Sequence, residues 1–158
     1  MNKTTLKTPP TKRAMTLNSL KDQLYIVADD SYDTHLESLI DSAILYTEQY
    51  LCRKLISQTW YAYLDEWPSG DYIEIPFGDL QSVTAVKYTD TDEAETTFSS
   101  ADYIVDTDSV PGRVVLKYGE SWPTVTLSPS NPIEIEFVTG YGDDVEDIPA
   151  PIIHAMKM

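Results

Sequence analysis

The feature that most constrains this chain is a change of hydrophobic period near its first third. Leu36, Leu39, Ile40, Ala43, Ile44, Thr47 and Leu51 recur at i, i+3, i+4, i+7 spacing. That pattern predicts an amphipathic helix over residues 34–53, with Asp33 or Thr34 as its cap and Arg53 and Lys54 at the negative end of its dipole. From Ile56 the period falls to two. ISQTWYAYLDEW, DYIEIP, LQSVTAVKY, ETTF, YIVDT, RVVLKY and PIEIEFV read as strands. Turn signals at residues 68–71, 89–94 and 108–112 separate them, and connections this short favour antiparallel hairpins.

Helical spacing returns at both ends. Thr16 can cap a short helix that carries Leu17, Leu20 and Leu24 on one side, and the polar loop VADDSYD follows it. In DIPAPIIHAMKM, Pro149 and Pro151 suit a first helical turn, and Ile152, Ile153 and Met156 begin an apolar face. The fold class is α+β: a small helical bundle of two N-terminal helices plus a C-terminal helix, with an antiparallel β-rich insertion. A single domain is expected over 16–158, helical over 16–55, β-rich over 56–140 and helical again over 147–158. Residues 1–15 read as a flexible basic arm. They hold Lys3, Lys7, Lys12 and Arg13 and no acid. A sharper reading has the arm ordering against an acidic neighbour.

Charge and length exclude several classes. The 158 residues are enough for one ordinary domain with a core of its own. Acids number 26 and Lys plus Arg 11, a net charge of −15. That balance opposes affinity for nucleic-acid phosphates or anionic membranes. One cysteine cannot form an internal disulfide. No apolar run approaches a membrane span, and the N-terminus lacks the apolar core of a secretory signal, so no membrane partner is expected.

Catalytic chemistry finds little support. Cys52 falls near a helix C-terminus, where the dipole opposes a thiolate, and is expected to be a buried structural residue. His35 and His154 have no ligand-like spacing. Asp143, Asp144, Glu146 and Asp147 cluster before the last helix, where their simplest role is to face its positive end. A metal-dependent hydrolase built on that cluster is one alternative. Glu134 and Glu136 alternate with Ile133, Ile135 and Phe137, as a wet sheet face requires. No phosphate-loop or nucleophile-elbow pattern is present, and GYGDD lacks the lysine and spacing of one. The expectation is no enzyme, no cofactor and no metal.

Aromatics are abundant, with 11 Tyr, 3 Trp and 3 Phe. Tyr61, Tyr63 and Trp67 alternate along one strand, and Tyr72, Tyr118 and Trp122 are further candidates for exposure. A carbohydrate-binding β module would stack sugar rings on such a face; cross-strand packing is the simpler reading. On the long helix, Glu37, Asp41 and Glu48 lie away from the apolar stripe with Leu45 among them, while Tyr46 and Tyr50 flank it. A helix apolar on more than one side packs against two neighbours.

The order of motifs resembles the tailed-bacteriophage head–tail connector, or adaptor and head-completion, family. LNSLKDQLYI is followed by VADDSYD, then by the long helix running into LISQTW, then PFGDLQSVTAVKY, the SVPGRV turn, and GYGDDVEDIPAPI. The resemblance covers about residues 16–156. It implies a structural virion neck protein, assembled in the host cytoplasm. Its copies would form an oligomeric ring, commonly of twelve, between portal protein and the next neck or tail component. DNA would pass through without specific binding. Leu45, Tyr46, Tyr50, Ile152 and Met156 are then candidate subunit or portal contacts, and Glu37, Asp41 and Glu48 a candidate acidic lumen face. The family usually extends its last helix well beyond IPAPI as a portal-docking element. This sequence ends at Met158, which leaves that contact open, whether the end is naturally short or truncated; the basic arm is one candidate to compensate.

Overall fold

The structure is a computed structural model and describes residues 3–26 and 29–158. Met1 and Asn2 of the expected arm, and Val27 and Ala28 of the expected polar loop, lie outside the described residues. The chain forms two compact units. One takes the described residues up to Pro9 together with Gln58–Thr139; the other takes Pro10–Ser57 and Gly140–Met158.

The first unit is built of strands β1 (Lys3–Thr8), β2 (Gln58–Leu64), β3 (Tyr72–Glu74), β4 (Leu80–Thr89), β5 (Glu95–Thr97), β6 (Tyr103–Asp106), β7 (Arg113–Leu116) and β8 (Ile133–Thr139). Five of them make an antiparallel sheet in the order β1-β2-β8-β4-β5, and three make a second sheet, β3-β7-β6. Each strand read from alternation is present. On β8, Ile133, Ile135 and Phe137 are fully buried, while Glu134 and Glu136 point to the other face. They meet Ala62, Val86, Ile73, Val114 and Leu116 in one core. Burial of large apolar side chains at about 25 cal/mol per Å² holds the two sheets together. Thr139 is a buried polar exception; its hydroxyl donates to the Gly78 carbonyl at 2.9 Å.

The second unit carries α1 (Leu17–Leu24), α2 (Asp33–Leu51), a 3-10 turn (Val145–Asp147) and α3 (Ala150–Met156). Thr16 caps α1, its hydroxyl accepting from the Ser19 amide at 3.2 Å. α2 starts without a side-chain cap. Asp33, an expected cap, instead meets the Lys21 ammonium at 2.6 Å, as does Asp30. These two carboxylates, Asp30 foremost, hold the lysine above its ordinary pKa in a place where its side chain is almost wholly covered. Met15, Leu20, Leu36 and Ile40 form one core cluster, and Ala14, Leu55, Ile56 and Ile148 another.

Two expectations require correction. The segment expected as a free arm is ordered. Residues 3–8 are edge strand β1, paired with β2 from Lys3↔Tyr63 to Thr8↔Thr59. Threonine-rich sequence suits a strand, and Lys7 is tied to Glu136 at 2.6 Å. Ala14 and Met15 are buried. Cys52 is exposed rather than buried, because it ends α2 in the left-handed conformation at φ 53° and turns out of the helix face. In the acidic cluster, Asp144 and Asp147 form a capping box for the 3-10 turn that precedes α3.

Candidate functional site

The residues expected to make contacts divide into two groups. Tyr46 and Tyr50 of α2 and Ile152 and Met156 of α3 line one groove of about 450 Å³, with Ala43 and Pro151. Leu45, on another side of α2, is not among them. Helical geometry explains this: Tyr46 and Tyr50 are four apart and share a face, whereas Leu45 is rotated about 100° from Tyr46. The two tyrosine rings stack with centroids 6.3 Å apart and planes at 15°. They are 69% and 78% exposed, a large apolar area for one stretch of helix. Beneath them, Ile152 and Met156 are half-buried against the core of the helical unit. The groove offers shape and apolar surface, with hydroxyls only at the tyrosine tips and Thr47. It can hold an apolar side chain or helix face.

Leu45 borders a second, more polar recess with Arg13, Glu37 and Asp41. The Arg13 guanidinium reaches both Asp41 oxygens, at 3.1 and 3.2 Å, and Glu37 at 3.5 Å. Glu37 and Asp41 thus stay together, about half exposed, with one cation between them. Glu48 departs from the expected acidic face. Its side chain is only 10% exposed, bonded to Lys54 at 2.9 Å and accepting the Leu55 amide at 3.0 Å. It serves the end of α2, because the chain folding back after Cys52 brings an amide and an ammonium to it.

The other candidate sites come apart. Tyr61 and Tyr63 lie on the outer face of β2 with rings tilted by 42°, beneath Lys7 and Lys3 of β1. Trp67 lies past the strand end, where it stacks on Trp122 at 5.0 Å and packs against the β-unit core. The three rings make no common platform, so a sugar-stacking face has no geometric support. Asp144 of the acidic cluster is paired with Lys12. Among the described residues, no group of three or more His, Cys, Asp or Glu side chains is placed to hold a metal ion. No helix of the described residues is long and apolar enough to cross a membrane.

Sequence reasoning missed Arg13 as a partner of Glu37 and Asp41. The available signal was its position next to buried Ala14 and Met15, which fixes its backbone against α2.

Residues 14–112 match the family described as phage gp6-like head-tail connector protein. No curated protein matches the chain. Among solved structures, the chain is similar to one from the neck of an empty gene transfer agent (GTA) particle computed with C6 symmetry. TM-score is 0.83 and identity 24%, over 98% of this chain and 80% of that one. A chain from the virion of a native GTA particle gives 0.79 and 22%, over 98% and 79%. A chain from the neck of a native GTA particle computed with C12 symmetry gives 0.73 and 22%, over 97% and 79%. At these identities the likeness is one of fold.

Proposed function

This chain belongs to the phage gp6-like head-tail connector family, and from that membership we propose that it is a non-enzymatic structural protein of a virion neck. Copies assemble side by side, twelve to a ring, between the portal protein and the next neck or tail component. The ring extends the DNA channel. Assembly takes place in the host cytoplasm.

The observation that carries this reading, beside the family itself, is the groove between α2 and α3. Two stacked tyrosines and two aliphatic side chains form a surface with no reactive group, suited to burial against another protein. The acidic balance supports the conduit. A net charge of −15 repels phosphates, so DNA moves past without being gripped. Glu37 and Asp41 remain lumen candidates; Glu48 does not, because its carboxylate is already engaged within the fold.

Native mass spectrometry of the protein mixed with the portal ring of the same virus tests the proposal. The expected result is one discrete multi-copy complex on the portal. Absence of any complex would remove the portal-facing role. Replacing both Tyr46 and Tyr50 by serine is expected to weaken that complex at least tenfold while leaving the melting temperature within a few degrees, since both rings are mostly exposed.

A further inference from the structure

The five-stranded sheet ends on two open edges of opposite charge. β1 carries Lys3 and Lys7 and no acid. β5 and the turn leading into it carry Asp90, Asp92, Glu93 and Glu95 and no base. Among the described residues, no strand pairs with the outer side of either. The bonds from Phe98 N–H to the Val86 carbonyl and from Asp90 N–H to the Ala94 carbonyl fix the alternation along β5. The backbone groups of Glu95 and Thr97 therefore point away from β4.

We propose that the β1 edge of one copy pairs with the β5 edge of the next, so that the sheets run on as a continuous belt around the ring. This rests on the ring reading above and names the surface that would close it.

The outer face of the sheet supports the pairing. Register aligns Lys3, Tyr63, Glu134 and Lys87 across β1, β2, β8 and β4, and Lys87 bonds Glu95 of β5 at 2.7 Å. Crossed from one edge to the other, the face reads basic, aromatic, acidic, basic, acidic. A following copy would bring a lysine of β1 next to Glu95, which continues the alternation. Pairing of β1 with β1, or of β5 with β5, would set like charges together. The edges thus favour head-to-tail contact, which closes rings, over a two-fold dimer.

Geometry adds two constraints. β1 and β5 are four strands apart in an antiparallel sheet and run in the same direction, so the junction is a parallel one. β5 has three residues, so each junction has few hydrogen bonds and gains strength only from closure or from a portal template. At about 4.8 Å per strand, one copy advances the belt about 24 Å, and twelve copies with strands along the ring axis give a diameter near 90 Å.

The test uses Thr5→Cys and Thr97→Cys together in a Cys52→Ser background. Both threonines are exposed on the outer face. Within one copy they sit on opposite edges, about 19 Å apart by strand spacing and beyond disulfide reach, so any bridge joins two copies. The full chain is assembled on the portal ring, oxidised or treated with a short bismaleimide, and run on a denaturing gel. The expected result is a ladder up to the ring number, absent beyond dimers in single-cysteine controls. A ring that native mass spectrometry detects but that yields no ladder overturns the edge pairing and leaves the ring intact. If no ring forms with the unmodified chain, the ring reading fails and the pairing with it. As a second arm, Thr97→Pro removes an outward N–H without touching the bonds to β4. Association about tenfold weaker per junction with an unchanged melting temperature is expected; undiminished association overturns the proposal.

Discussion

Asp106 shows how a single carboxylate organises a turn. Its oxygens accept from the Ser109 hydroxyl at 2.7 Å and from the Arg113 guanidinium at 2.6 Å. Those bonds, Ser109 first, lower its pKa from 3.8 to about 2. A depressed carboxylate contributes stability above its unfolded pKa, and that contribution is lost as pH falls through the folded value. The melting-temperature difference between the native chain and Asp106→Asn should therefore be constant above about pH 5 and vanish as pH falls from 3.8 to about 2. Glu48 offers a second test. Glu48→Ala leaves the Leu55 amide and the Lys54 ammonium without their acceptor and should cost about 1–3 kcal/mol in urea unfolding. Glu48→Gln should cost less, because the acceptor for the amide remains. Neither role was visible in the sequence. Glu48 looked like one more acid on a wet helix face, and only the fold-back after Cys52 encloses it. Cys52 was misread for the same reason: a left-handed residue breaks the helical periodicity used to place it.

At the scale of elements, periodicity was a sound guide wherever a strand or helix had one wet and one dry side. β8 is the clearest case, with Ile133, Ile135 and Phe137 inside and Glu134 and Glu136 outside. As the central strand, flanked by β2 and β4, it should have the slowest amide exchange in the β unit, and α3, with seven residues, should be among the fastest to exchange. β1 was misread because an edge strand buries so little that alternation leaves no trace; KTTLKT has only Leu6 as an apolar residue, and it is exposed. Its threonines were the signal, outweighed by the charges. Turns hide their requirements in backbone rather than in side chains. Gly140 sits at φ 137°, and a Cβ there would lie 2.7 Å from the Ile56 carbonyl carbon and the Ser57 amide nitrogen. Gly140→Ala should destabilise the protein by about 2 kcal/mol or more, read from the denaturant midpoint.

For the molecule as a whole, net charge makes the most direct prediction. Fluorescence anisotropy with a labelled duplex at physiological salt should show no binding at micromolar protein. Binding that falls steeply with salt would indicate a cationic surface, contrary to the conduit reading. Helical spacing put Tyr46 and Tyr50 on one side of α2 and Ile152 and Met156 on one side of α3, and the four share a groove. Their meeting depends on where α3 lies on α2, which no local pattern encodes.

Two backbone hydrogen bonds close the stem of the β-rich block. The Ser57 amide bonds the Gly142 carbonyl at 2.8 Å, and the Tyr141 amide bonds the Leu55 carbonyl at 3.3 Å. Residues 58–139 thus leave the helical unit and return to it at one clamped point; the other crossing is at Pro9–Pro10. The closure entropy of a segment inserted at a clamp of this kind grows only slowly with its length, by about 0.6 kcal/mol for each doubling. The 82 residues between Ser57 and Gly140, together with the β1 strand that completes their sheet, are therefore exchangeable in principle. In evolutionary terms, the block behaves as a cassette: its size and outer surface can diverge to suit a new neighbour while the helical stem keeps its own packing.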